Sequence, residues 1–485
     1  MNAIELSPTT ARRHVSYRPA RGGTGVTMLT VYIVLLFAFP SNLQFTALGS
    51  LGKPATLWGV GLLVWWALSH MQPSEAATRV RGRAMRTFLV LFCAVVLVSY
   101  ATGVLRGQPA DQIGSATSSL VRITSWSGVC LLAIDGVRTR DDLVTLFRRL
   151  SIAAGLLAVL GLAQIATGSS LLDWTGSIPG WQIEWSVMDS RGGTTRAVGT
   201  STHPLEFSST MTALLPVSIA HAVIALQSGA PGARRWIIPP AGVLALLSIT
   251  VTRSAMIGTV VALLLLLPFL PRRFRNWLLS LGVLGAGAVA VLFPRIVRAT
   301  LAAFTTVADD PSALSRANAL ARVPEFTAAS PIVGAGWGTF LPRYYIFDNA
   351  WVLMLVEVGI AGVAMFVLMV LSGIFAAFRS ASRSTTVDQR VLAAGLAAAV
   401  TAAAVQMALF DGMAFGQFAG TLFLLLGCGV AVSGIGGANA VGAPARRRSS
   451  LALLGAFAAP PRTTSSARRD DIGLTELASD AWERS

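Results

Sequence analysis

The chain has little charge, and one cation is almost missing. Only 12% of its 485 residues are Asp, Glu, Lys or Arg, about half of the roughly 25% usual in a soluble domain. Lysine occurs once, at Lys53, although basic residues number 38 against 22 acidic ones, for a net charge of +16. With so much alanine and glycine, arginine in place of lysine has the look of a GC-rich genome. The preference by itself therefore says nothing about phosphate recognition. Cysteine occurs three times, at Cys93, Cys130 and Cys428, each within an apolar run, which excludes a disulfide framework and a thiolate metal site. Histidine is as scarce, and no His, Cys or carboxylate spacing suits a metal, so neither metal nor cofactor is expected. No Gly-x-Ser-x-Gly elbow or Ser-His-Asp grouping is present. The glycines of "GAGWG" (334–338) have no strand before them and no Lys-Ser/Thr after them, which excludes a nucleotide loop and leaves a tight re-entry turn. No internal repeat is visible, which counts against a secondary transporter built from inverted halves.

What is present is hydrocarbon. The sequence is 54% hydrophobic with a mean hydropathy of +0.65. Its apolar runs are continuous rather than alternating, which excludes a β-barrel and predicts an all-α, polytopic membrane protein. A window of roughly 20 residues gives about twelve transmembrane helices. They lie near 26–45, 52–69, 87–105, 116–134, 150–167, 204–226, 236–251, 254–270, 276–293, 349–371, 391–410 and 417–436.

Arginine fixes the expected orientation. Arg12, Arg13, Arg18 and Arg21 precede the first span, and Arg79, Arg81, Arg83 and Arg86 fill the next even-numbered connection. Arg148, Arg149, Arg234, Arg235, Arg272, Arg273, Arg275, Arg379, Arg383 and Arg390 follow the same alternation. By the positive-inside rule both termini are cytoplasmic. The expected organisation is a cytoplasmic N-terminal tail at 1–25, without a cleavable signal, and a transmembrane domain at 26–436. Within that domain 168–203 and 294–348 form two large extracytoplasmic loops, and a disordered cytoplasmic tail occupies 437–485. The basic charge then reports topology and some attraction to anionic membrane lipids, and nucleic acid is not an expected partner.

Against that background a few polar residues stand out. Arg253 interrupts two apolar runs in "TVTRSAMIG", where a guanidinium needs a partner, and a diphosphate at headgroup level is a suitable one. Arg196 and Arg316 are the other outward arginines singled out. In "DDPSALSRANALARV" Asp310 is a plausible N-cap and Pro311 a first helical residue, and Arg316 and Arg322 project from the resulting helix. In "RAVGTSTHPLEF" His203 and Glu206 form either a general base pair or a satisfied helix start broken at Pro204. Asp348 and Asn349 stand at the entrance of the span "DNAWVLMLVEVGIAG". Glu357, deeper in that span, reads as a buried partner for an arginine or a backbone donor.

Four stretches, "RAVGTSTHPLEF", "SITVTRSAMIGT", "LSRANALARVPEFTAASPIVGAGWGTF" and "DNAWVLMLVEVGIAG", occur in an order and topology that resemble the O-antigen ligase and polymerase superfamily of integral-membrane glycosyltransferases, of the broad GT-C type. The resemblance covers 26–436 and is strongest from 196 to 362. It implies a polyprenyl-diphosphate-linked oligosaccharide donor, transferred without metal or nucleotide to a glycan or lipid-glycan acceptor outside the cytoplasm of the plasma (inner) membrane. By position, Arg196, Arg253 and Arg316 match arginines thought to hold the diphosphate. Ligases that load O-antigen onto lipid A carry a histidine before the final Asn. Asp348 stands there instead, which favours a polymerase or a ligase with another acceptor. Asp348 and Asn349 would then sit at the mouth of an outward cavity, with Asp348 taking the proton of the attacking hydroxyl. Other polysaccharide-export proteins are a further class of partner. The competing reading is a transporter or flippase of lipid-linked glycans.

Overall fold

Continuous apolar runs can satisfy their backbone in hydrocarbon only as helices, and the computed structural model is built that way. It describes residues 23–71, 82–184, 190–191, 194–250, 252–292 and 311–441. Most of both expected tails, the N-cap expected at Asp310 and the side chains of Arg191 and Arg316 lie outside the described residues. The architecture below is that of the unit Met1–Ala440.

Thirteen α-helices are present among the described residues: α1 (Gly23–Ala38), α2 (Pro54–Met71), α3 (Arg83–Leu105), α4 (Ala110–Gly136), α5 (Arg140–Thr167), α6 (Pro204–Gln227), α7 (Ile238–Ile249), α8 (Arg253–Leu266), α9 (Arg272–Leu292), α10 (Pro311–Thr327), α11 (Ala350–Arg383), α12 (Val387–Gln406) and α13 (Gly416–Val441). Each apolar run read as a span falls largely on one of them, but the first, expected over 26–45, ends as helix at Ala38, and Leu43–Phe45 is a strand because its backbone pairs with Trp181–Ile183. Seven are long and apolar enough to cross a membrane: α3, α4, α5, α6, α11, α12 and the Gly416–Ile435 part of α13. Helix α7 is too short. At 1.5 Å per residue the 12 residues of α7 span about 18 Å against a hydrocarbon core of about 30 Å.

Burial separates centre from periphery. In α6 and α13, 89% of the apolar window is buried, against 28% in α3. The outward residues of the peripheral helices are themselves apolar: Val90, Leu97, Leu156, Val159, Ile360 and Phe375 are all more than half exposed. A lipid-facing surface is built in this way.

The connections gather at two ends of the bundle. At one end, Arg86 pairs with Asp135, and Arg140 with Asp388. At the other, the Ser41 amide donates to the Thr200 carbonyl at 2.7 Å, and Gln108 Nε2 to the Ala335 carbonyl at 2.9 Å. Strand β1 (Leu43–Phe45) pairs antiparallel with β2 (Trp181–Ile183), and Lys53 meets Glu184 at 2.9 Å. A second small ladder joins β3 (Ser190–Arg191) to β4 (Thr194–Thr195). All the connections expected to be extracytoplasmic that make these contacts share this second end.

Helix α11 is broken where its sequence reads as unbroken apolar helix. Gly359 has φ 66° and ψ −172°. A helix would bond the amides of Ile360 and Ala361 to the carbonyls of Val356 and Glu357. Instead those amides donate to Pro331 and Ile332 at 2.9 and 3.1 Å, and those carbonyls accept from Ala335 and Gly336 at 2.9 and 3.0 Å. The turn around 331–336 is thus docked into the break, and every displaced group is re-bonded. Glycine is required on both sides. A Cβ at Gly359 would overlap the Ile332 carbonyl, and one at Gly334 would overlap the Glu357 carbonyl.

Candidate functional site

Two buried glutamines fix the connection that enters α6. Gln164 of α5 accepts from the Val198 and Gly199 amides at 3.0 and 2.7 Å. It donates to the Ser170 and Gly199 carbonyls at 2.7 and 3.0 Å. Gln417 of α13 donates to the Leu36 carbonyl and the Thr200 hydroxyl at 3.0 and 2.9 Å and accepts from Ser201. A side-chain amide has donors and an acceptor together, so one residue satisfies several loop groups. Neither glutamine is singled out by sequence reasoning; a Gln inside an apolar run was the available signal.

This clamp sets Arg196 into the protein, 8% exposed, with Nη2 donating to the Thr252 hydroxyl at 3.2 Å. Thr252 is the N-cap of α8 and Arg253 its first helical residue. Two of the arginines singled out from sequence are therefore brought to one helix start. An arginine bonded at the start of a helix whose first residue is a second arginine brings charge and donors that suit an anion to that end of the helix.

His203 is the N-cap of α6, its Nδ1 accepting from the Leu205 amide at 3.1 Å, with Pro204 at the first helical position. Glu206 is fully buried. One carboxylate oxygen accepts from the Gln417 amide at 2.8 Å. The other accepts from the Thr202 amide at 2.8 Å and the Ser41 hydroxyl at 3.2 Å. Of the two readings open for this pair, these bonds describe the helix start: the carboxylate ties three segments together.

Asn349, not Asp348, caps α11, its side-chain oxygen accepting from the Trp351 and Val352 amides at 3.0 and 3.2 Å. Asp348 lies just before the cap. Together with Ala319, Leu320, Phe347, Asn349 and Val352 it lines a pocket of about 240 Å³. Ala319 and Leu320 lie about one turn beyond Arg316 on α10. Arg322, on the exposed side, pairs with Glu325 at 3.2 Å and lies 4.9 Å from the Tyr345 ring centre.

The segment 407–415 between α12 and α13 joins these parts. Its Met407 and Phe410 carbonyls accept from the Ala350 amide at 2.8 and 3.2 Å, beside Asn349. The neighbouring Gln406 reaches the Ser254 carbonyl at 3.3 Å, beside Arg253. Phe415 packs on the His203 ring with centroids 5.9 Å apart. The Ala414 carbonyl accepts from Arg122 at 2.8 Å, and Arg122 also donates to the Ser119 hydroxyl at 2.7 Å. Asp411 is in the same segment. Burial pushes its carboxyl up to about 7, against the pull of Arg122, and the Asp348 charge adds to the rise. Glu357 interacts with both Asp411 and Arg122, and its Oε1 accepts from the Phe340 amide at 3.4 Å.

Sequence reasoning missed Arg122 and Asp411. Arg122 lay inside an apolar run, where a charge is itself a signal of function or of a buried partner. Asp411 lay at the edge of two runs. Among the described residues no group of three His, Cys, Asp or Glu side chains could hold a metal. The chain matches no family model, and no curated protein matches it.

Proposed function

We propose that the chain is an integral-membrane glycosyltransferase, a polysaccharide polymerase or ligase. It transfers a glycan from a polyprenyl-diphosphate-linked donor to an acceptor hydroxyl on the extracytoplasmic face. The topology belonging to this reading has about twelve spans in the plasma (inner) membrane, counting the shorter helices. Both termini are cytoplasmic, and the end that holds the 407–415 segment faces outward.

One observation carries the reading. Segments far apart in sequence bring an arginine pair and a set of carboxylates to the same end of the bundle. Arg196 and Arg253 are placed to hold a diphosphate, with Arg316 a third candidate on α10. The acceptor oxygen attacks the anomeric carbon while the bond from that carbon to the diphosphate oxygen breaks, and the diphosphate leaves with the electron pair. The arginine pair stabilises the charge that develops on it, usually the largest contribution to such a rate. The acceptor proton passes to Asp348. A single displacement inverts the anomeric centre.

The test is incubation of the purified protein with lipid-linked repeat units. Longer lipid-linked or acceptor-linked products support the proposal. Vectorial movement of intact units across a proteoliposome membrane without elongation would support the flippase instead.

A further inference from the structure

The bundle end opposite the proposed site carries arginines of two kinds. Arg86 and Arg140 are paired with Asp135 and Asp388. Arg148 of α5 is exposed, as are Arg234 and Arg235 in the short 3-10 turn Ala233–Ile237 between α6 and α7. Among the described residues none of these three guanidinium groups pairs with a carboxylate.

Packing gathers them around one aromatic pair. The His221 ring of α6 stands edge-on to Trp236, with centroids 4.5 Å apart. Arg235 lies 5.6 Å from the centre of the Trp236 ring, and Arg148 is close enough to His221 to act on it electrostatically. A Cβ on Gly155, about two turns along α5 from Arg148, would lie 3.3 Å from Pro239, so α5 packs closely on the start of α7.

His221 adds a second signal. It is 4% exposed, and neither ring nitrogen has a protein partner among the described residues. An imidazole always has at least one N–H to donate, and a buried donor left unmet is costly. The cluster is therefore short of acceptors and of negative charge at one place. Directly after Trp236, Ile237 and Ile238 are 44% and 67% exposed. Cations, an indole and then bare isoleucines follow the order in which a phospholipid presents its phosphate, its glycerol and its acyl chains. The positive-inside rule requires arginines on this face, but neither their grouping around an indole nor a buried histidine lacking an acceptor.

We propose that Arg148, Arg234, Arg235 and Trp236 form a binding site for an anionic phospholipid of the leaflet at this end, cytoplasmic in the topology proposed above. The phosphate oxygens accept from the guanidinium groups and from His221, and an acyl chain lies along Ile237 and Ile238. The site goes beyond the transferase reading and does not depend on the reaction the chain carries out.

The test is native mass spectrometry of the whole protein, with dioleoyl phosphatidylglycerol and dioleoyl phosphatidylcholine added in turn as probes. Phosphatidylglycerol should bind the wild type at least about fivefold more tightly, since one arginine at an anionic surface is usually worth about that factor. Arg148→Gln and Arg235→Gln, both changes of exposed side chains, should each weaken phosphatidylglycerol binding about fivefold and leave phosphatidylcholine binding unchanged. Arg272→Gln, which removes an exposed arginine of α9, should alter neither. Equal affinity for the two lipids overturns the site. So does a loss in Arg272→Gln as large as that in Arg235→Gln, which would show attraction to charge spread over the whole face. Lipid binding is read without turnover, so its failure leaves the transferase reading standing.

Discussion

Arg196 reaches across to the Thr252 hydroxyl at 3.2 Å, and that bond brings it to the helix start that Arg253 opens. Exposed arginines scattered over a loop would attract anions weakly. A guanidinium held in the protein at a helix start can grip a particular anion, and its planar fork matches phosphate oxygens in a way that ammonium does not.

If the pair holds a diphosphate, Arg253→Ala removes most product while the protein still inserts and unfolds at its normal temperature. Arg253→Lys restores little. Thr252→Val deletes the positioning bond of Arg196 together with the bond of the Thr252 hydroxyl to the Thr250 carbonyl. A hydrogen bond to a charged group is worth about 1.5–3 kcal/mol, so turnover should fall by roughly 10- to 150-fold. Radiolabelled product formation measures all three.

Glu206 separates structure from chemistry. Its carboxylate takes two backbone amides and a hydroxyl from three segments. In Glu206→Gln one accepting oxygen becomes an NH₂ group facing donors, at a cost of about 1–3 kcal/mol. The expected result is a lower unfolding temperature, with any activity loss following the loss of folded protein. Normal unfolding with dead enzyme would instead return Glu206 to a base pair with His203.

Asp411 makes stability depend on pH. Its folded carboxyl titrates at about 7 rather than the ordinary 3.8, so the folded state holds a proton that the unfolded chain has released. That contribution is complete below the unfolded value and is lost as pH rises through about 7. The wild type should therefore unfold at a lower temperature at pH 8 than at pH 5. Asp411→Asn, which stays neutral beside Arg122, Glu357 and Asp348, should narrow the difference. Parallel slopes for the two proteins would show that Asp411 ionises normally.

Gly359→Ala tests the docked turn. The new Cβ meets the backbone carbonyl of Ile332 rather than a movable side chain, and the residue must hold a positive φ that alanine resists. A loss of roughly 2 kcal/mol or more is expected, read as poor accumulation in the membrane and a lower unfolding temperature. Gly285→Ala, at a glycine with nothing within 4 Å, is the neutral control.

The helices were legible because lipid imposes a simple requirement, apolar length, and the sequence satisfies it openly. The break in α11 was not. Gly359 stands in "VEVGIAG" among residues that all suit helix, and only the bonds from 331–336 make the non-helical angle tolerable. The site was legible in parts. Arg253 stood out as a cation interrupting two apolar runs and Arg196 as an outward arginine, yet the position of Arg196 at the start of α8 depends on Gln164 and Gln417, whose polarity looks incidental inside apolar runs. The joining role of 407–415 could not be read at all, because it lies in backbone carbonyls, which every sequence has.

Asp348 carries the most exposed prediction. Capping α11 needs only Asn349, whose side chain already serves both first-turn amides, so the cap gives no reason for a carboxylate one residue earlier. Asp348 borders the 240 Å³ pocket beneath α10, near enough to a hydroxyl bound there to take its proton. The alternative acceptor is His203, whose Nδ1 is committed to the Leu205 amide. Asp348→Asn should then lower turnover by about 10²–10⁴-fold, the usual worth of a general base, with binding of the lipid-linked donor nearly unchanged. Asp348→His should keep part of the activity, with its pH profile moved toward the histidine range. Normal turnover in Asp348→Asn together with a dead His203→Ala would transfer the role to His203.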